Sequence, residues 1–315
     1  MSANVLVKTK NLSRADWLKY RTMGIGGSDV SVIAGINPYR SVYQLWLEKT
    51  GQTEPTEGEN EYTHFGTLLE PIVRKEFTAR TGIKVRQKHM LLQSEEYPFM
   101  LANLDGVIND NGEKCIFEAK TASAYKLDNW QSGIPPEYML QIQHYMAVTG
   151  AKKTYIAALI GGNHFVYRLI ERDDEMIAKI IAIEKQFWEV NVLGGIAPDI
   201  DGSKATTEYF NRRYELSNGQ TVELPVDVIS VCEEYDRLAE QIDELTTAKD
   251  KASNQIKSML QNNEIGTAGS YQISWKQVNS TRFDKTKFRS DNPEMYDKYL
   301  SHSHYRRFSI QKAVV

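Results

Sequence analysis

Residues 102–121 (Ala-Asn-Leu-Asp-Gly-Val-Ile-Asn-Asp-Asn-Gly-Glu-Lys-Cys-Ile-Phe-Glu-Ala-Lys-Thr) constrain the fold more than any other stretch. Two short apolar runs flank Asn111-Gly112, the pair that most strongly signals a two-residue type I′ turn. With these two residues as the loop, Val107 faces Ile116 and Asp105 faces Glu118. Opposed residues hold their Cβ atoms roughly 4.5–5.5 Å apart, and like charges there destabilise a sheet. The period of two puts Lys120 on the face of Glu118. Two carboxylates this close stay ionised only beside a cation, and hard oxygen donors suit Mg²⁺ or Mn²⁺. The same pattern also fits charged residues on an exposed hairpin face, and a one-residue shift of the turn would break the pairing.

A length of 315 residues allows one large domain or one domain with an appendage. The net charge of −3 gives no global signature for a polyanion partner, which would have to be met by local basic patches or metal ions. No apolar run approaches the roughly 20 residues of a membrane span, and the N-terminus lacks a signal-peptide pattern. Cys115 and Cys232 lie far apart and fit no CxxC or disulfide framework. The expectation is a reducing cytoplasm and no membrane partner.

Along the chain, residues 12–20 read as a short helix with Ser13 as N-cap and Asp16 three residues on. A glycine-rich turn, Gly24-Ile-Gly-Gly-Ser-Asp, then feeds a helix starting near Ser28 or Asp29. Helix N-termini suit phosphate, but no Gly-Lys-Ser/Thr follows, so this is not a Walker A loop. An ordinary capped turn fits equally well. Residues 39–51 read as a helix stopped by Gly51, the acidic stretch Glu54 to Glu61 as a solvated loop, and His64 to Arg80 as a helix ended by Gly82. Its apolar positions include Phe65, Leu69, Val73 and Phe77, and Glu70 shares their side. A carboxylate there needs a cation or a salt bridge, and Pro71 marks a kink or a first turn. Trp130 to Pro136 reads as a loop. A helix from Pro136 to Gly150 follows, with Gln141 and Tyr145 on one face and Gln143 on a flanking one. Those amides either serve a site or form the wet side of the helix. Two strands, 154–160 and 165–171, and an amphipathic helix from about Asp174 to Val192 come next.

Composition changes after Gly194. Residues 201–225, rich in Asp, Gly, Ser, Thr and Pro, read as a linker or arm between a core of 1–200 and an accessory region of 226–315. That region opens with a long helix to about Gln261. Its apolar stripe of Leu238, Ile242, Leu245, Ala248, Ala252, Ile256 and Met259 suits a helical hairpin partner or a short coiled coil. A strand over 271–278, a basic-aromatic helix and a last strand reaching Ile310 complete the expectation.

Gly66-x-x-x-Glu70, Asp105-Gly106, Glu118-Ala-Lys120 and Gln141-x-x-x-Tyr145 occur in an order that resembles the PD-(D/E)xK nuclease superfamily. The opening Trp17…Arg21…Gly-Gly-Ser-Asp makes the chain similar, over roughly residues 12–195, to the YqaJ-type viral recombinases related to phage lambda exonuclease. The resemblance implies an α/β fold: a mixed central sheet flanked by helices, the restriction-endonuclease-like core, here with an α+β C-terminal extension. It implies Mg²⁺-dependent hydrolysis of linear double-stranded DNA, with Mn²⁺ able to substitute and two ions bound. Glu70, Asp105, Glu118 and the Ala119 carbonyl would be ligands. Lys120 would orient and activate water, and Gln141 or Gln143 would flank the scissile phosphate. Arg21 and Ser28 match positions that hold a 5′-phosphate, with Tyr145 beside the DNA. Such enzymes digest one strand from its 5′ end and pass the 3′ overhang to a single-strand annealing protein of the RecT or Beta type, as ring-shaped homotrimers. Asn103-Leu-Asp105 replaces the usual Pro-Asp, and the extra tail lies outside the resemblance. A site-specific endonuclease of the same fold, or a non-catalytic DNA-binding or assembly protein, are the competing readings. A Cas4-like nuclease is disfavoured by the two scattered cysteines.

Overall fold

The computed structural model describes residues 3–54 and 61–312. Most of the acidic stretch after Glu54 lies outside them. The chain divides into two compact units, residues 1–213 and 214–315, each described here by itself.

The first unit runs β1 (Ala3–Lys8), α1 (Arg14–Thr22), β2 (Ile25–Gly26), α2 (Gly27–Ile33), α3 (Val42–Lys49) and α4 (Glu61–Thr81). It continues with β3 (Val85–Arg86), β4 (Met90–Ser94), β5 (Met100–Asn103), β6 (Gly106–Asp110), β7 (Glu113–Ala122), α5 (Leu127–Ser132) and α6 (Pro136–Thr149). Then come β8 (Lys153–Ile160), β9 (His164–Glu171), α7 (Asp174–Gln186), a π-helical extension (Phe187–Leu193) and α8 (Lys204–Arg213).

A five-stranded sheet, in the order β3-β6-β7-β8-β9, organises the unit. Asn111 and Gly112 take φ of 50° and 93°, the two left-handed positions a type I′ turn demands. Val107 therefore pairs with Ile116, as the turn predicts. β7 and β8 are parallel, and the crossover between them carries α5 and α6. Alternation sorts β7 between two cores. Cys115 and Phe117 meet Val73 and Phe77 of α4, with the Phe77 and Phe117 rings 5.0 Å apart. Ile116 faces the other way, into the larger core with Ile142 and Met146 of α6. A second sheet, β1-β4-β5-β2, packs beside α6, and α2 and α7 close over that helix.

Four expectations change in this unit. α4 starts three residues early, and its N-terminal half stands clear of the core, leaving Phe65 49 % exposed. Pro71 lies within α4 rather than in its first turn. The loop expected over Trp130 to Pro136 is helical through Ser132, because Trp130 buries its indole against Tyr138, ring centroids 5.6 Å apart. The linker expected over 201–225 contains α8. Its capping chemistry had passed for loop composition: Ser203 Oγ accepts from the Thr206 N–H at 3.2 Å, and Asp201 accepts from Thr206 Oγ1 at 2.7 Å. Tyr209 of α8 is buried and Phe210 lies 5.8 Å from Tyr43, so the core extends to Arg213.

The second unit consists of α9 (Val228–Leu260), the hairpin β10 (Ile265–Ala268) and β11 (Tyr271–Ser274), and two short helices, α10 (Lys285–Asp291) and α11 (Pro293–Lys298). Among its described residues the chain beyond Leu300 forms no strand, contrary to expectation; the β10–β11 pair gains no third strand. Among all described residues no helix is long and apolar enough to cross a membrane.

Candidate active site

The β6–β7 hairpin sets the site. Asp105 immediately precedes β6, and its Oδ2 accepts the Ala119 N–H at 2.9 Å, which fixes its carboxylate to the neighbouring strand. Glu118 points from β7 toward α6 and is 1 % exposed. Lys120, two residues on, donates from Nζ to Glu118 Oε1 at 2.7 Å and to Gln141 Oε1 at 2.9 Å. The Gln141 amide donates in turn to Glu118 Oε1 at 2.8 Å and to the Tyr145 hydroxyl at 3.0 Å. Glu70 approaches from α4. Arg74, one turn along, holds it at 3.2 Å and also donates to the Asp105 carbonyl. The salt bridge that a core-facing glutamate needs is thus present beside the acid cluster.

Glu70, Asp105, Glu118, Lys120, Gln141 and Tyr145 line one open cleft of about 1380 Å³, together with Arg21, Ser28 and Ala119. Gln143 is not among them. It is 1 % exposed and bonds the Glu171 carbonyl and the Asp173 N–H, which ties α6 to the end of β9. Two residues turn a helix by about 200°, so Gln141 and Gln143 cannot share a face.

Burial pushes the Glu118 carboxyl up to about 8, reinforced by Asp105 and only partly opposed by Lys120. Burial and Asp105 likewise lift Glu70 to about 7. Asp105 is raised too, by its own desolvation. Burial works against the Lys120 charge, but Glu118 and Asp105 outweigh it, so this ammonium holds its proton more firmly than usual.

The donor set fits a hard divalent cation. It offers three carboxylates, and Glu118 Oε2 is buried with no hydrogen-bond partner among the described residues. As the side chains stand, no group of three His, Cys, Asp or Glu among the described residues is gathered tightly enough to hold an ion. Lys120 and Gln141 occupy the other Glu118 oxygen.

A second charged cluster underlies the glycine-rich turn. Asp29, fully buried on α2, takes the Gly26 N–H at 3.0 Å and so caps its own helix. Lys49 reaches it at 2.8 Å, Arg40 at 3.0 Å and Arg21 at 3.3 Å. Lys49 also donates to the Arg21 and Gly24 carbonyls, and Arg40 pairs with Glu48. Burial alone would raise Asp29, but Lys49, Arg21 and Arg40 together hold it far below the usual carboxylate range. Lys49 is lowered to about 8, chiefly by burial. Arg21 also donates to Ser28 Oγ at 3.0 Å and lies over the Trp17 ring, so the cluster sets both expected phosphate-binding residues.

Sequence reasoning missed Arg40, Lys49 and Arg74, which belong to no spaced motif. Tyr138 was also missed; its ring lies 4.9 Å from Lys120 Nζ. Gly27 carried a readable signal. A Cβ there would come within 2.5 Å of Tyr145 and 2.9 Å of Gln141, so only glycine lets α2 approach α6 this closely.

Residues 16–152, which hold every candidate site residue, match the YqaJ-like viral recombinase domain. The YqaJ protein of Bacillus subtilis (strain 168) is 45% identical over 314 residues, covering 98% of each chain. The chain belongs to the YqaJ-like viral recombinase family. Among solved structures, this family member is similar to an alkaline exonuclease, LHK-Exo from Laribacter hongkongensis. The identity is 24% and the TM-score 0.49, over 57% of this chain and 93% of that one. It is also similar to a phage-related exonuclease from Haemophilus somnus 129PT, with 16% identity and a TM-score of 0.43, over 57% of this chain and 100% of that one.

Proposed function

We propose that this chain is a Mg²⁺-dependent deoxyribonuclease. On this reading it digests linear double-stranded DNA in the 5′→3′ direction and leaves 3′ overhangs for a single-strand annealing protein in phage-type recombination. The observation that carries the reading is the Glu118 carboxylate, buried beside two other acids with one oxygen unpartnered and its pKa raised to about 8. Left as it is, such a cluster is costly. It becomes favourable once a cation neutralises it.

Glu70, Asp105 and Glu118, with the Ala119 carbonyl, are the residues that would hold the ion. When bound, a divalent cation supplies positive charge to the scissile phosphate and acidifies the attacking water. Lys120 keeps its proton, so its part is to donate: from Nζ it orients water or a phosphate oxygen and offsets the charge that develops there. Gln141 fixes Lys120 and Glu118 relative to each other and presents its amide to the same space. Tyr145, buried behind Gln141, holds that amide in place.

Arg21 and Ser28 open onto the same cleft, and this supports recognition of a terminal 5′-phosphate, a group present only at an end or after each cut. The test is digestion of linear duplexes labelled at either end, in Mg²⁺, Ca²⁺ or EDTA, beside a circular duplex. The expected result is Mg²⁺-dependent loss of the 5′ label first, with the circle intact. Cleavage of the circle would move the assignment to an endonuclease, and degradation in EDTA would remove the cation from the reading.

A further inference from the structure

α9 carries more apolar surface than its own unit covers. From Val228 to Met259, the residues at alternating intervals of three and four are all apolar or aromatic except Lys249. That is a strict 3.5-residue period along a helix of 33 residues, roughly 50 Å long. A straight helix drifts out of such a register. A stripe that keeps it for more than four heptads matches a second helix supercoiling with it, whereas a face packed on a globular core repeats at 3.6. The seam is open: Leu238 is 43 %, Ile242 62 % and Leu245 70 % exposed. Phe308 comes within 6.0 Å of Tyr235, yet that ring remains 48 % exposed.

We infer that α9 is a dimerisation element that packs antiparallel against α9 of a second copy of this chain. The sequence of the seam selects both the partner and the direction. Parallel, in-register pairing would set Lys249 on Lys249 inside the seam. It would also set Tyr235 on Tyr235 and Ala252 on Ala252, one layer overfilled and one hollow. Antiparallel pairing about the Ile242–Leu245 layer removes all three faults. Tyr235 then meets Ala252 of the second copy, Leu238 meets the aliphatic stem of Lys249, Val231 meets Ile256, and Val228 meets Met259.

The rim charges agree. The first half of α9 carries Glu233, Glu234, Asp236, Glu240, Asp243 and Glu244 against Arg237 alone. The second half carries Lys249, Lys251 and Lys257 against Asp250 alone. Antiparallel packing lays the acidic half along the basic half, and it lets the Lys249 ammonium reach past Leu238 to the acidic rim. The two-fold relation makes the contact self-complementary and closed. This inference is independent of the nuclease reading.

Disulfide trapping in the full-length chain tests it, with Cys232→Ser as background and Leu238→Cys and Lys249→Cys introduced singly. The two single variants, co-expressed and mildly oxidised, should yield a crosslinked dimer, while neither crosslinks when expressed alone. Self-crosslinking of the Leu238→Cys chain, or no product from the co-expressed pair, would overturn the proposal. Ile242→Asp in the full-length chain should lower the mass of the assembly in sedimentation with helix content by circular dichroism retained. An unchanged mass in that variant would count against the proposal in the same way.

Discussion

Asp29 and Glu118 are almost equally buried, at 0 % and 1 % exposure, yet they titrate in opposite directions. Desolvation raises both. Around Asp29 the fold gathers three cations, which hold it ionised and occupy both its oxygens. Around Glu118 it gathers two more acids and one lysine, and one oxygen is left without a partner. The first cluster is complete as protein alone. The second leaves one buried carboxylate oxygen unpartnered and an excess of acids over cations. Burial alone therefore does not set the direction of the shift; the sign of the surplus neighbouring charge does.

The largest effects separate these roles by what each substitution damages. Asp105→Ala or Glu118→Ala should lower hydrolysis of linear duplex by about 10³-fold or more with thermal unfolding little changed; near wild-type rates would refute the assignment. Asp29→Asn should act chiefly on stability, with hydrolysis affected only through the positions of Arg21 and Ser28. It leaves Lys49, Arg21 and Arg40 around a neutral group, and breaking a buried charge cluster in this way costs about 3–5 kcal/mol, readable by urea unfolding. A loss under about 1 kcal/mol would mean that solvent reaches the cluster and screens it.

A smaller effect follows from pH. Because the folded-state pKa of Asp29 is depressed, its contribution is fully present above the unfolded value of about 3.9 and is lost as pH falls below it. Wild-type stability should therefore fall below about pH 4 more steeply than that of Asp29→Asn. Parallel slopes would show that other carboxylates dominate acid unfolding. Glu118 has the opposite sign. Its folded pKa of about 8 exceeds the unfolded value, so without a cation stability falls as pH rises toward 8.

Next, 5′-phosphorylated duplex should be digested roughly tenfold faster than 5′-hydroxyl duplex, and Arg21→Ala should erase most of that preference. Equal wild-type rates on the two substrates would remove the phosphate role. The smallest effect is a gain: Glu118→Gln should raise the metal-free melting temperature at pH 8 by about 2–4 °C, because a neutral amide avoids the cost of the buried charge.

The two clusters also differ in how far the sequence reveals them. Asn111-Gly112 specifies the hairpin register, and the register places Glu118 and Lys120 with no knowledge of the rest; the ladder ends at Gly106 opposite Phe117, and Asp105 just beyond it is fixed by the Ala119 N–H. Pro136 and Gly150 bound α6 equally plainly. The Asp29 cluster has no such shorthand. Its cations come from α1, the segment before α3, and the end of α3, and only packing brings them to one carboxylate. The Gln141-Ile-Gln143 run left open which amide flanks the phosphate, and helix geometry turns Gln143 away from the cleft. The segment around α8 was read as linker because Asp201, Ser203 and Thr206 are both loop formers and helix caps. In α9 the stripe was visible, but exposure was needed to show that its own unit leaves Leu238, Ile242 and Leu245 open.

Thermal unfolding at pH 8 with increasing Mn²⁺ reads whether the acids around Glu118 bind a cation. Ligand linkage requires the wild-type melting temperature to climb with Mn²⁺ concentration once the ion binds the folded state. The wild type should show that climb and Glu118→Gln a flat response. Equal climbs in both proteins, or none in the wild type, would contradict a cation site at Glu118.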